Sequence, residues 1–135
     1  MTSDTANDHQ DPEAVAAAMH VLDEHMAGLN SRDRDRINAT LHFPHYRLSG
    51  VELKCWQTPD SYFVDFKSRA GGDWAHSRFN DIQVVRASEN KVHLDAEINR
   101  FNGEDQKIAS FRSLWVITLE EGRWAAKFRS SFAAR

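Results

Sequence analysis

The sequence holds seven histidines and one cysteine, and the chemistry within its reach begins with four of those histidines. His25 lies three residues after Leu22 and four before Leu29, at the border of an apolar helical stripe. Partial burial there would keep its imidazole neutral and able to act as base or donor near pH 7. The alternative is a flanking histidine whose tip meets solvent or a carbonyl. His76, within Trp74-Ala75-His76-Ser77, shares a strand face with Trp74, which could wall a ligand; otherwise it is a sheet-surface residue. His42 and His45 form H-x-x-H. Pro44 between them argues for an extended chain, where residues three apart point to opposite faces. One is then expected at a pocket mouth and the other outside it. A metal site would need distant help, and no cysteine cluster or H-E-x-x-H pattern supplies it.

Polar residues on dry faces are the second signal. Ser113 sits between Phe111 and Trp115, so its hydroxyl must find a partner or face a cavity. The Trp115 indole N–H needs an acceptor when buried. Arg100 follows Ile98 on an apolar face and either anchors a carboxylate or snorkels to the rim. Tyr46 and Tyr62 are expected lid or wall residues. Asp95 and Glu97 share a wet face and read as solubility or partner contacts, not as an acid–base pair. Cys55 alternates with Val51 and Leu53 and reads as a small core residue. No Ser-His-Asp order, phosphate loop or paired-carboxylate motif is visible.

The elements that must position these residues follow from spacing. Asp11-Pro12-Glu13 is a helix start: a cap, a first-turn proline and an acid suited to the dipole. Val15, Met19, Leu22, Met26 and Leu29 then form one stripe, with His20, Asp23 and Glu24 opposite. A short helix is predicted from Asp33 to Leu41, with Ile37 and Leu41 facing inward. Extended chain follows, then a turn at Ser49-Gly50 and a return strand over Val51–Trp56. Thr58-Pro59-Asp60 starts a third helix that buries Tyr62, Phe63 and Phe66 and stops at Gly71-Gly72. From Trp74 the period becomes two. Strands are predicted at Trp74–Ala87, Lys91–Phe101, Lys107–Leu119 and Arg123–Ala133, joined as hairpins. Val92, Leu94, Ala96 and Ile98 form a dry face on one strand; Phe111, Ser113, Trp115, Ile117 and Leu119 form one on the next. Trp124, Ala126, Phe128 and Phe132 nearly do so in the last.

These elements make an α+β domain: three N-terminal helices on one face of a curved, mostly antiparallel sheet, with a pocket between the first helix and the sheet. The chain has 135 residues, enough to bury roughly 68% of its unfolded surface. Eight Phe, four Trp and two Tyr supply its core, or could plug the cone completely. Residues 1–10 are expected to be a frayed tail and 11–135 a single domain. A net charge of −3 gives no pull toward nucleic acid. Neither a secretion signal nor a membrane span is visible, and one cysteine fits a reducing cytoplasm.

The helix end Gly28-Leu29-Asn30-Ser31-Arg32-Asp33, the stretch from Leu41 to Leu48 and Glu121-Gly122-Arg123-Trp124 before the last strand carry a resemblance. Over roughly Asp11 to Ala133 the chain resembles the nuclear transport factor 2-like superfamily, with its SnoaL-like proteins, ketosteroid isomerases and scytalone dehydratases. That resemblance implies a cone-shaped roll, a homodimer through the outer sheet face, and a small-molecule site that works without metal or organic cofactor. It also implies cofactor-independent isomerisation or dehydration of an apolar, ring-containing compound. His25 falls about where ketosteroid isomerases place a tyrosine donor, and His76 about where scytalone dehydratases place a histidine. The isomerase acids are missing, because Leu48-Ser49-Gly50 and Ser113-Leu114-Trp115 occupy their places. On this reading His25 and His76 move the proton, while His45, Tyr46, Tyr62, Trp74, Arg100, Ser113 and Trp115 line the ligand. The rival is a binding domain, of ligand or partner, with a filled cone and no catalysis.

Overall fold

The computed structural model describes residues 11–133. The expected tail over 1–10 lies outside the described residues. Helix α1, Pro12–Ser31, opens as its sequence predicts: the Asp11 carboxylate accepts the Ala14 N–H at 3.0 Å. Its buried face is Ala14, Ala18, Val21, Leu22, His25, Gly28 and Leu29. That stripe is rotated from the expected one. Val15, Met19 and Met26 are only partly buried, because the helix turns its small residues inward and approaches its neighbours closely.

Arg32, in the left-handed conformation, ends α1, and Asp33 caps α2, Arg34–Asn38. The second helix is shorter than predicted. The Thr40 hydroxyl and amide both return to the Ile37 carbonyl and close the turn, so Leu41 opens strand β1. Strand β1, Leu41–Ser49, pairs antiparallel with β2, Glu52–Trp56, through Gly50 at φ 58°. Residues Pro59–Ser61 form a 3-10 turn leading into α3, Tyr62–Ala70. The third helix is thus entered through a tighter turn, without a capping bond from Thr58. It buries Tyr62, Phe63 and Phe66 as predicted.

Strands β3 (His76–Ala87), β4 (Lys91–Phe101), β5 (Lys107–Glu120) and β6 (Arg123–Ser131) complete one six-stranded sheet of order β2-β1-β6-β5-β4-β3. Every pairing is antiparallel except β1 with β6. Val92, Leu94, Ala96, Ile98 and Arg100 face the helices from β4, and Phe111, Ser113, Trp115 and Ile117 from β5.

Three further expectations change. Cys55 is exposed, as are Val51 in the preceding turn and Leu53, because β2 is the sheet edge and only its last residue, Trp56, is buried. Trp74 precedes β3 instead of lying in it. In β6 the register shifts between Ala126, opposite Ile117, and Phe128, opposite Val116. The extra residue reverses the alternation, so Arg129 and Ser131 turn inward while Phe128 and Phe132 turn out. Among the described residues, no helix is long and apolar enough to cross a membrane.

Gly28 sets the approach of α1 to α2. A Cβ there would lie 3.0 Å from both the Cγ1 and the backbone N of Ile37. Gly28→Ala is expected to lower stability by about 1–2 kcal/mol, the clash outweighing a gain of roughly 1 kcal/mol in helix propensity. Urea unfolding measures it, and a stabilised variant would show that the two helices separate freely.

Candidate functional site

Proton counting fixes two buried histidines. The Thr40 hydroxyl donates its one proton to the Ile37 carbonyl at 2.6 Å. It must therefore accept from His25 Nδ1, 2.8 Å away. His45 Nδ1 faces the Ala126 carbonyl at 3.0 Å and likewise carries the proton. In both rings Nε2 is left as a bare acceptor, buried and without a partner. Burial, followed by the charge of Arg129, pushes the His25 pKa well below the ordinary imidazole value. Burial also lowers that of His45 to about 4, against the opposing pull of the Ala126 carbonyl and with Arg129, Arg69 and Arg47 adding to the fall. Both are neutral at pH 7.

Tyr62 stands between them, its ring 6.2 Å from His25 and 5.5 Å from His45. Its hydroxyl is near enough to steady the Arg129 charge but does not meet any partner in hydrogen-bond geometry. The Trp115 ring lies 5.1 Å from His25, and its N–H has no acceptor.

Four arginines share this interior: Arg47 on β1, Arg69 on α3, Arg100 on β4 and Arg129 on β6. Arg129, 2% exposed, lies 4.6 Å over the Trp115 ring, and its Nε reaches the Ser113 hydroxyl at 3.4 Å. That hydroxyl donates onward to Ser131 at 3.1 Å. Arg100 stacks on Phe111 at 4.7 Å and Phe66 at 5.5 Å. Arg69 faces Trp56, Phe66 and Tyr62 at 5.5, 5.6 and 5.9 Å. Among the described residues no carboxylate lies within 4.0 Å of Arg69, Arg100 or Arg129. Burial lowers the pKa of Arg100 and of Arg129 to about 10, and the neighbouring arginines add to the fall. Both stay charged at pH 7.

Two spaces adjoin these groups. One of about 10 Å³, bounded by His25, Phe79, Arg100, Trp115 and Arg129, has room for one water at most. The other, about 280 Å³ at the mouth, has Arg47, Lys54, Arg69 and Arg100 in its wall against one carboxylate, Glu52. Arg100 is common to both.

The expected site residues divide accordingly. His25, His45, Tyr62, Arg100, Ser113 and Trp115 come together in the interior. His76 does not: it stacks on Phe101 at 4.9 Å and pairs with Asp105 at 3.0 Å on the outer face, because Trp74 lies outside the strand and the alternation counted from it fails. Tyr46 also faces outward, paired with Phe128. Trp74 is buried, bonds Ser77 at 2.8 Å and carries Arg32 on its ring. His42 lies apart from His45; its Nε2 donates to the Thr118 carbonyl at 2.9 Å and Nδ1 accepts from Arg123. Among the described residues, no three His, Cys, Asp or Glu side chains gather as a metal site.

Arg47, Arg69 and Arg129 escaped the sequence reading. Arg47 follows His45 by two on the same strand face, and Arg69 falls on the helix face of Tyr62 and Phe66, so spacing signalled both. Arg129 had no such signal, because the β6 bulge hides its phase.

No protein-family model and no curated protein matches the sequence. Solved structures do match. An NTF2-like protein with a cystatin-like fold from Novosphingobium aromaticivorans superposes with a TM-score of 0.73 at 11% identity, covering 90% of this chain and 82% of that one. An NTF-2 like protein of unknown function from Shewanella oneidensis gives 0.70 at 10% identity, over 87% and 98%. A candidate ketosteroid isomerase from Shewanella frigidimarina gives 0.67 at 11%, over 85% and 94%. At such identity the likeness is one of fold. It places the α+β arrangement with its mixed six-stranded sheet and N-terminal helix among the nuclear transport factor 2-like, cystatin-like folds.

The neutral histidines tie stability to pH. Their folded values lie below the unfolded value near 6.5, so between those values the unfolded chain binds protons that the native one refuses. Stability is full above about pH 6.5 and falls as the pH drops toward the folded values. At pH 5 the loss is about 2 kcal/mol for His45, and His25 adds a loss of the same sign. Urea unfolding at pH 7.5 and pH 5 measures it, and His45→Phe is expected to shrink the difference by about 2 kcal/mol. An unchanged difference would mean that His45 is protonated in the native state.

Proposed function

We propose that this chain, which has the nuclear transport factor 2-like fold, is a small-molecule-binding domain whose ligand occupies the mouth cavity of about 280 Å³. The single supporting observation is the wall of that cavity. Buried polar atoms without partners converge on it and on the space behind it, and such atoms are stabilised by what they bind. The volume is at the small end of ligand pockets.

Binding without catalysis fits this geometry better than isomerisation or dehydration of a ring held against His25. The void beside His25 is of water size, and the one carboxylate at the mouth is on the exposed strand β2. One observation favours the catalytic reading: His25 and His45 each present an unprotonated, unpartnered Nε2 to the interior, as a general base must. That reading requires the interior to open.

We also propose a homodimer through the outer sheet face. Tyr46, Leu48, Leu114, Val116 and Phe128 are only partly buried there, and Phe132 is 79% exposed. Phe132→Asp is expected to shift the chain to monomer in light scattering; a monomeric parent chain would end the idea.

Ligand-observed NMR with a panel of neutral and charged one-ring fragments tests the binding reading. At least one fragment is expected to bind, to stabilise the fold by about 2.7 kcal/mol at 100 times its dissociation constant, and to be excluded by the cavity-filling Ser68→Trp. Silence across the panel, or binding indifferent to S68W, would remove the reading.

A further inference from the structure

We propose that the mouth cavity takes a small organic carboxylate, its head gripped by the in-plane N–H edges of Arg69 and Arg100. The proposal rests on the mouth being a ligand site, and adds the chemical class.

Among the described residues, all three guanidinium nitrogens of Arg69 are buried without a hydrogen-bond partner, as is the Nε of Arg100. Arg100 is itself only 5% exposed. Neither has a carboxylate within 4.0 Å among the described residues. Of the acids nearby, Glu52 shares the wall but forms no ion pair with either guanidinium, and Asp65 accepts from the Trp56 indole at 2.8 Å and pairs with Lys54 at 3.8 Å. A charged guanidinium removed from water and left unpaired is costly, so a bound anion is the answer that the chain does not provide among its described side chains.

Donor chemistry favours a planar head. Aromatic rings lie close to both guanidiniums, Phe66 and Phe111 by Arg100, and Trp56, Tyr62 and Phe66 by Arg69. A guanidinium carries a planar fork of N–H donors, which matches the two oxygens of a carboxylate. Ser68 and Arg69 occupy the last turn of α3, where the helix dipole favours cations and opposes any anion, a multiply charged phosphate more than a singly charged carboxylate. Ala133 and the aliphatic stems of Lys54 and the arginines supply what apolar wall there is for a small carbon skeleton. Behind the head, Arg100 and Arg129 separate the anion from His25.

Benzoate, its neutral isostere benzamide and inorganic phosphate, titrated by calorimetry in about 50 mM salt, decide it. Benzoate is expected to bind about tenfold or more tighter than benzamide and tighter than phosphate. Arg69→Gln should weaken benzoate about tenfold and leave benzamide unchanged. Arg69→Lys keeps the charge and the fold but loses the fork, and should still cost about threefold. Benzamide binding as tightly as benzoate, benzoate indifferent to R69Q and R69K, or phosphate binding tightest would each overturn the carboxylate. Benzamide equal to benzoate, with both excluded by S68W, would overturn the anion and keep the mouth as a ligand site. No binding of any probe, together with a silent fragment panel, would overturn both.

Discussion

A guanidinium keeps its charge when it leaves water, and the interior of this chain is arranged around that fact. Arg129 lies at the deep end on Trp115, Arg100 joins the inner void to the mouth, and Arg69 closes the outer rim. Each lies over aromatic rings, a contact worth about 0.5–2 kcal/mol apiece, well short of the cost of lost hydration. The remaining deficit falls on their N–H edges, which is why the mouth cavity is polar in a core otherwise built of Leu, Ile and Trp. The same charges act on His25 and His45, reinforcing burial in holding both neutral. Cation cluster and deprotonated imidazoles are therefore one electrostatic arrangement. An anion settling at the mouth would relax both.

Much of the fold was legible because it is written in period and punctuation. The Asp11-Pro12 start, the period-two runs of β4 and β5 and the hairpin turns each obey local rules that the tertiary structure leaves in force. What was not legible was decided by neighbours. The stripe on α1 rotated because Ala14, Ala18 and Gly28 permit a close approach, which apolar bulk alone does not reveal. The exposure of Cys55 follows from the place of β2 at the sheet edge, a matter of topology. A single extra residue in β6 turned Phe128 out and Arg129 in.

The site was half legible for a related reason. His25, Ser113 and Trp115 stood out as polar atoms on dry faces and do converge. Arginines, by contrast, are presumed to face water, so Arg47 and Arg69 drew no notice despite inward spacing. Of the two places open to His76, the structure shows the sheet surface; the shared face with Trp74 was counted from a residue that lies ahead of the strand. Composition contained no hint that the interior would be cationic: the whole chain carries a net charge of −3. Arginines gather in the interior while acids and further bases mix on the surface, and that arrangement is invisible in a sum.

The lone parallel ladder has a bearing on how the molecule is made. Strands β1 and β2 join the rest of the sheet only through β6, so Leu41 must wait for Ala126. At ribosomal speeds that wait is on the order of ten seconds. Throughout it the β1–β2 hairpin has its inner edge open and Val51 and Leu53 in water, an invitation to pair with a stranger. Closing so long a loop is entropically late and kinetically slow. The nascent chain thus carries its most adhesive segment early and seals it last, which makes delayed closure, more than native stability, the step at which aggregation would begin.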